Sequence, residues 1–154
     1  MKKLILIILG VTLSSCAITQ KKYAAPTEGA VATIKFVNNG AGPGSVEFFR
    51  EYETCKGREM GDPIAASQSK SIQVRSDSPI SFSFFYSVDT RYCKIYGTFT
   101  PVKGALYQTE ISHRPDGCVL NLYKLEGQLF IPESSFKQRK AVSSPWDENS
   151  SFCS

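Results

Sequence analysis

Three observations predict an all-β fold for this chain, an antiparallel β-sandwich of about seven or eight strands stapled by disulfides. Apolar residues recur with a period of two, turn residues separate the runs at short intervals, and no segment carries a convincing amphipathic helix. The period is clearest in PISFSFFYSV. Ile80, Phe82, Phe84, Tyr86 and Val88 alternate with Ser81, Ser83, Phe85 and Ser87. Successive side chains of a strand point to opposite faces, so this is a half-buried strand, and its aromatic and β-branched content agrees.

The remaining strands follow the same logic. Val46, Phe48 and Tyr52 read as inward, with Glu47, Glu51 and Glu53 outward. Ile72 and Val74 alternate with Gln73 and Arg75, and Tyr107, Thr109 and Ile111 with Gln108, Glu110 and Ser112. Leu120 and Leu122 continue the face of Cys118. Turns are predicted at Asn39-Gly40, Gly42-Pro43-Gly44, Asp77-Ser78-Pro79, Lys103-Gly104 and Pro115-Asp116-Gly117. Glycine admits positive φ there, proline presets φ, and Asn or Asp bonds its own backbone. The strands are therefore placed at 31–37, 45–54, 70–76, 80–88, 92–100, 105–112 and 118–124, with a weaker one at 128–131. The loop 56–69 is the longest internal irregular piece, with room for one helical turn.

The N-terminus reads differently. Lys2 and Lys3 precede an apolar stretch from Leu4 to Leu13, followed by Ser14 and Ser15. Ten residues fall short of the ~20 needed to span a bilayer but fit a secretory signal. A short buried helix is the alternative, and the cationic head and small-residue exit speak against it. Leu13-Ser14-Ser15-Cys16 resembles the lipobox of bacterial lipoproteins. That resemblance implies cleavage before Cys16, addition of diacylglycerol to its thiol, and acylation (palmitate) of the new amino terminus. Ala17 stands where the inner-membrane retention signal of that family has aspartate, which implies the periplasmic face of the outer membrane. One acyl chain at about 0.8 kcal/mol per methylene holds marginally, and two or three hold firmly. The chain thus divides into a cleaved signal at 1–15, a lipidated flexible tether at 16–30 and a β-sandwich domain with a C-terminal tail at 31–154. The segments FTPVKGALYQTEIS and GCVLNL resemble those of small bacterial lipoproteins with an immunoglobulin-like or transthyretin-like sandwich. This implies a fold rather than an activity.

Of five cysteines, Cys55, Cys93, Cys118 and Cys153 remain after Cys16. An even number in an exported chain predicts two disulfides, with three possible connectivities. The expected pairing is Cys55–Cys93 with Cys118–Cys153, the second pinning a tail whose apolar content is mainly Phe136, Trp146 and Phe152. With no CxxC motif and His113 as the single histidine, no metal site is expected. Once the signal is removed, sixteen basic residues face fourteen acidic ones, which is no footprint for nucleic acid. The Lys137–Lys140 cluster reads as a solvated loop, with contact to anionic headgroups or glycan as the alternative.

Chemistry is sparse. His113 beside the Arg114–Gly117 turn reads as a solvated turn residue rather than a general base, and Glu47, Glu51 and Glu53 as a solvated edge face. No phosphate-binding loop is present, and no cofactor is expected. Phe49 and Phe85 fall opposite the predicted core. Either they pack under the loops 56–69 and 132–150, or they form a contact patch for a partner. The functional expectation is a non-enzymatic envelope lipoprotein, contacting the membrane through its lipid and an envelope protein through its domain. The alternative is an inhibitor of an envelope-directed hydrolase such as lysozyme, although the serine-glycine loop of such inhibitors is not found here.

Overall fold

The computed structural model describes residues 20–88, 91–114, 117–142 and 150–154. Cys16, Trp146, Pro115 and Asp116 lie outside them, and with them the signal, the lipid attachment and the tip of the predicted turn. Among these residues ten strands form: β1 Val31–Val37, β2 Ser45–Glu51, β3 Lys56–Met60, β4 Ser69–Arg75, β5 Ile80–Val88, β6 Arg91–Phe99, β7 Leu106–Arg114, β8 Gly117–Glu126, β9 Leu129–Pro132 and β10 Lys137–Arg139.

They make two five-stranded sheets, ordered β4-β1-β7-β8-β9 and β10-β6-β5-β2-β3. The pairing is antiparallel except between β1 and β7, where Ile34 lies beside Tyr107 in a parallel ladder. The all-β, disulfide-linked sandwich is thus the fold. The two-residue period produces its core. Ile34, Phe36, Val46, Phe82, Phe84, Phe99, Tyr107, Leu120 and Leu122 point between the sheets and are buried. Phe36 sits at the centre, edge-on to Phe82 and Phe84 at 5.3 and 5.5 Å. Such contacts contribute about 0.5–1.5 kcal/mol each beyond the area they bury.

Three strands depart from expectation. The predicted strand at 45–54 ends at Glu51, and Tyr52, expected inward, lies in the turn that follows. There Cys55 and Gly57 adopt positive φ (51° and 67°), which reverses the chain into β3. β3 thus occupies the start of the loop expected at 56–69. The Lys137–Lys140 cluster is not a free loop either, because Lys137–Arg139 pair with β6 as β10.

One aromatic side chain closes each long seam between the sheets. Phe136 lies over Gly97, where a Cβ would collide with its ring, and stacks on Phe82 at 6.3 Å. At the opposite seam Tyr23 stacks on Phe48 at 4.1 Å. Tyr23 belongs to the segment read as a flexible tether, so part of that segment is docked. The Tyr23 amide donates to Met60 O at 2.7 Å, and the Met60 amide to Lys21 O at 2.8 Å. The loops at one end of the sandwich are organised by buried Asn38. Its Nδ2 donates to the carbonyls of Gly42, Ile64 and Ala65, and its Oδ1 accepts from the Gly40 amide.

The disulfides are Cys55–Cys153 and Cys93–Cys118, with Cα separations of 5.4 and 6.1 Å. The expected pairing is therefore corrected. Cys93 on β6 and Cys118 on β8 belong to different sheets, and these two strands touch across the core. Their bridge fastens one sheet to the other. Cys55, in the β2–β3 turn, receives the C-terminal tail as it folds back across the second sheet.

Candidate interaction surface

Three places in the molecule could carry function, and their geometry separates them. The first is the outer face of the second sheet. Glu47 on β2, expected to be solvated, is 5% exposed. Its Oε2 accepts from Ser83 Oγ at 2.6 Å and from Lys94 Nζ at 2.7 Å, while Oε1 accepts from Arg58 at 3.3 Å. Each cation also lies against an aromatic ring. The Arg58 guanidinium is 4.9 Å from the centre of Phe152, and the Lys94 ammonium 5.6 Å from that of Tyr96. Phe49, Cys55, Tyr96, Phe152 and Cys153 form a second small core over this carboxylate. Burial raises the Tyr96 phenol, with Lys94 opposing. A carboxylate beside a serine has the makings of chemistry, but this one is fully engaged and roofed by the tail, so it reads as a structural ion cluster.

Phe49 is therefore no contact patch. It packs under the tail, 5.7 Å from Phe152, a residue beyond the two loops expected to cover it. Phe85 does not join it. It is half-buried on β5, 6.2 Å from Tyr92, whose ring is 75% exposed. The groove next to Tyr92 is lined by Lys94, Arg139 and Lys140. Two of these cations are already engaged, Lys94 with Glu47 and Arg139 with the carbonyls of Tyr52 and Glu53.

The second place is a cleft of about 360 Å³ at the Tyr23 seam, lined by Tyr23, Phe48, Arg50, Glu59, Arg75 and Ile80 among others. The Tyr23 hydroxyl donates to Gln73 O at 2.9 Å. Burial, reinforced by the Glu59 charge and opposed by Arg75, pushes this phenol up to about 12. The polar groups here already have partners: Arg50 lies 3.8 Å from Glu59, which also holds Lys21 at 2.6 Å, and Arg75 pairs with Asp77.

The third place is the outer face and free edge of the first sheet, around β9. Leu129, Phe130 and Ile131 are 69%, 49% and 41% exposed, and Leu106 on β7 is 49% exposed. Phe130 pairs with Leu125 of β8. Tyr107 pairs with Lys124, so the antiparallel register sets Leu106 beside Leu125. Leu106, Leu125 and Phe130 thus form an apolar row across three strands on the outward side. β9 is the last strand of its sheet, so among the described residues one side of its backbone has no strand to pair with. An uncharged apolar edge strand is what a sheet ordinarily disguises with lysine, proline or a bulge. Here Pro132, at the strand's end, is the one such device within it. Sequence reading marked 128–131 as a weak strand and missed the row. Its signal was the uninterrupted apolar run Leu129-Phe130-Ile131.

Among the described residues, no three His, Cys, Asp or Glu side chains converge to hold a metal ion, and no helix is long and apolar enough to cross a membrane. His113 lies on β7 with its backbone opposite Cys118. No known protein family matches the chain, and neither does any curated protein or solved structure.

Proposed function

We propose that this chain is a non-enzymatic lipoprotein of the bacterial envelope. It is held on the periplasmic face of the outer membrane by lipid on Cys16 and acts through protein contact at the β9 edge. The observation that carries the contact is the row Leu106–Leu125–Phe130 beside an unpaired strand edge. Such an edge accepts an extended segment of another protein through backbone hydrogen bonds, and the row provides the apolar side-chain contacts. The anchor rests on the lipobox resemblance at Leu13–Cys16.

Both halves are testable in the native host. Radioactive palmitate should label the wild-type chain, and Cys16→Ala should abolish labelling; equal labelling of both would overturn the anchor. For the contact, p-benzoylphenylalanine in place of Phe130 should yield a discrete photocrosslinked partner, whereas the same probe in place of Gln73, on the opposite edge strand, should not. Identical crosslinks from both positions would overturn the β9 surface. A partner that is a cell-wall hydrolase losing activity on binding would shift the role from accessory protein to inhibitor.

A further inference from the structure

The docking of residues 21–23 fixes more than a seam. We propose that the domain sits on its bilayer in one orientation, with the β3–β4 side facing the lipid surface and the β9–β10 side facing away. The inference rests on lipidation of Cys16 and adds the geometry of the attached domain.

The argument is one of reach. Five Cα steps separate Cys16 from Lys21, and a fully extended chain spans at most about 3.6 Å per step, so about 18 Å in all. Lys21 has no freedom to wander at the end of that leash. The backbone of residues 21–23 is bonded to Met60 of β3, the Tyr23 ring is stacked on Phe48, and the Tyr23 hydroxyl reaches Gln73 O of β4. The strap therefore joins the edge strands of both sheets at the same seam. A lipid at Cys16 pulls on that seam and on no other part of the domain. β9 is the opposite edge, four inter-strand gaps from β4. At about 4.8 Å each these gaps carry β9 about 19 Å further from the anchored edge. The exposed row is thereby presented to the periplasm instead of being pressed against headgroups. A free tether over residues 16–30 would have allowed either edge to touch the bilayer.

The full lipidated chain, purified from membranes with its disulfides intact, is reconstituted in phosphatidylethanolamine–phosphatidylglycerol vesicles carrying an acceptor dye on a fraction of the headgroups. A donor dye is placed on Gln73→Cys or on Gln128→Cys, both exposed positions, at the anchored edge and in the β8–β9 turn. Energy transfer to the headgroups should be several-fold higher from position 73. Inserting eight Gly/Ser residues between Ala17 and Ile18, which leaves the strap untouched, should remove most of that difference; so should Tyr23→Ala where it folds. A chain that floats with the vesicles but transfers equally from both positions overturns the orientation alone. A chain that carries no lipid and does not float overturns the anchor and the orientation together.

Discussion

The two sheets of this sandwich treat their outer faces in opposite ways. On the second sheet, Glu47, Phe49 and Tyr96 are covered by the tail residues Phe152 and Cys153, and the cover is locked by Cys55–Cys153. On the first sheet, Leu106 and Phe130 remain open. Apolar residues thus stand on both outer faces. What differs is whether the chain supplies a lid. The covered face holds a charged cluster, while the open face carries one apolar row beside an edge strand that has no second neighbour among the described residues. The C-terminal segment hides one face and leaves the other bare, and that contrast supports the proposed contact surface on the first sheet.

Removing the lid should have the largest effect. Cys153→Ala opens a cross-link of 98 residues, worth about 4–5 kcal/mol in the chain-entropy model. Urea unfolding should show that loss together with new binding of a hydrophobic dye. A change below about 1 kcal/mol would mean that the tail does not hold the face shut. Disturbing what the lid covers should come next. Glu47→Gln leaves Arg58 and Lys94 facing a neutral group, at about 2–3 kcal/mol, below the range for fully buried pairs because Lys94 is partly exposed. The seam between the two faces should respond to alkali. The Tyr23 phenol titrates near 10 unfolded and near 12 folded. Its contribution is therefore complete below pH 10 and is lost as the pH rises from 10 towards 12. Thermal melts across that window should fall more steeply for wild type than for Tyr23→Phe. The open face should matter least for stability. Leu106→Ser with Phe130→Ser should stay within about 0.5 kcal/mol of wild type, yet lose the partner captured in the envelope. A large loss of stability here would mark the row as core and erase the contrast.

Much of the interior was legible in the sequence. Ile80 to Val88 alternates because one face of β5 meets the core, and local spacing suffices to show it. The outer faces were not legible, because their burial depends on distant residues. Nothing near Glu47 announces that Phe152 will roof it. The same distance hid the pairing of Cys55 with Cys153, since neighbouring cysteines close shorter loops and make the simpler guess. β3 was missed because a positive φ at a cysteine carries no local signature, unlike one at glycine. Asn38 has no local signal of its own beside the Asn39-Gly40 turn, because the three carbonyls its amide gathers come from two loops. The exposed row needed register, because Leu106, Leu125 and Phe130 become neighbours only once three strands are aligned.

The nesting of the two bridges has a consequence for how the protein matures. Cys93–Cys118 lies inside the span of Cys55–Cys153, so Cys55 pairs with the last cysteine of the chain and not with the next one along it. A chain oxidised from its N-terminal end as it becomes accessible offers Cys93 to Cys55 long before Cys153 arrives. The bridge formed in that order is the wrong one. It has to be undone by attack of a free thiolate on the mixed pair, an exchange that takes seconds to hours and is hastened by isomerases. Yield of the correctly bridged protein should therefore depend on the supply of reshuffling thiols more than on the strength of the oxidant.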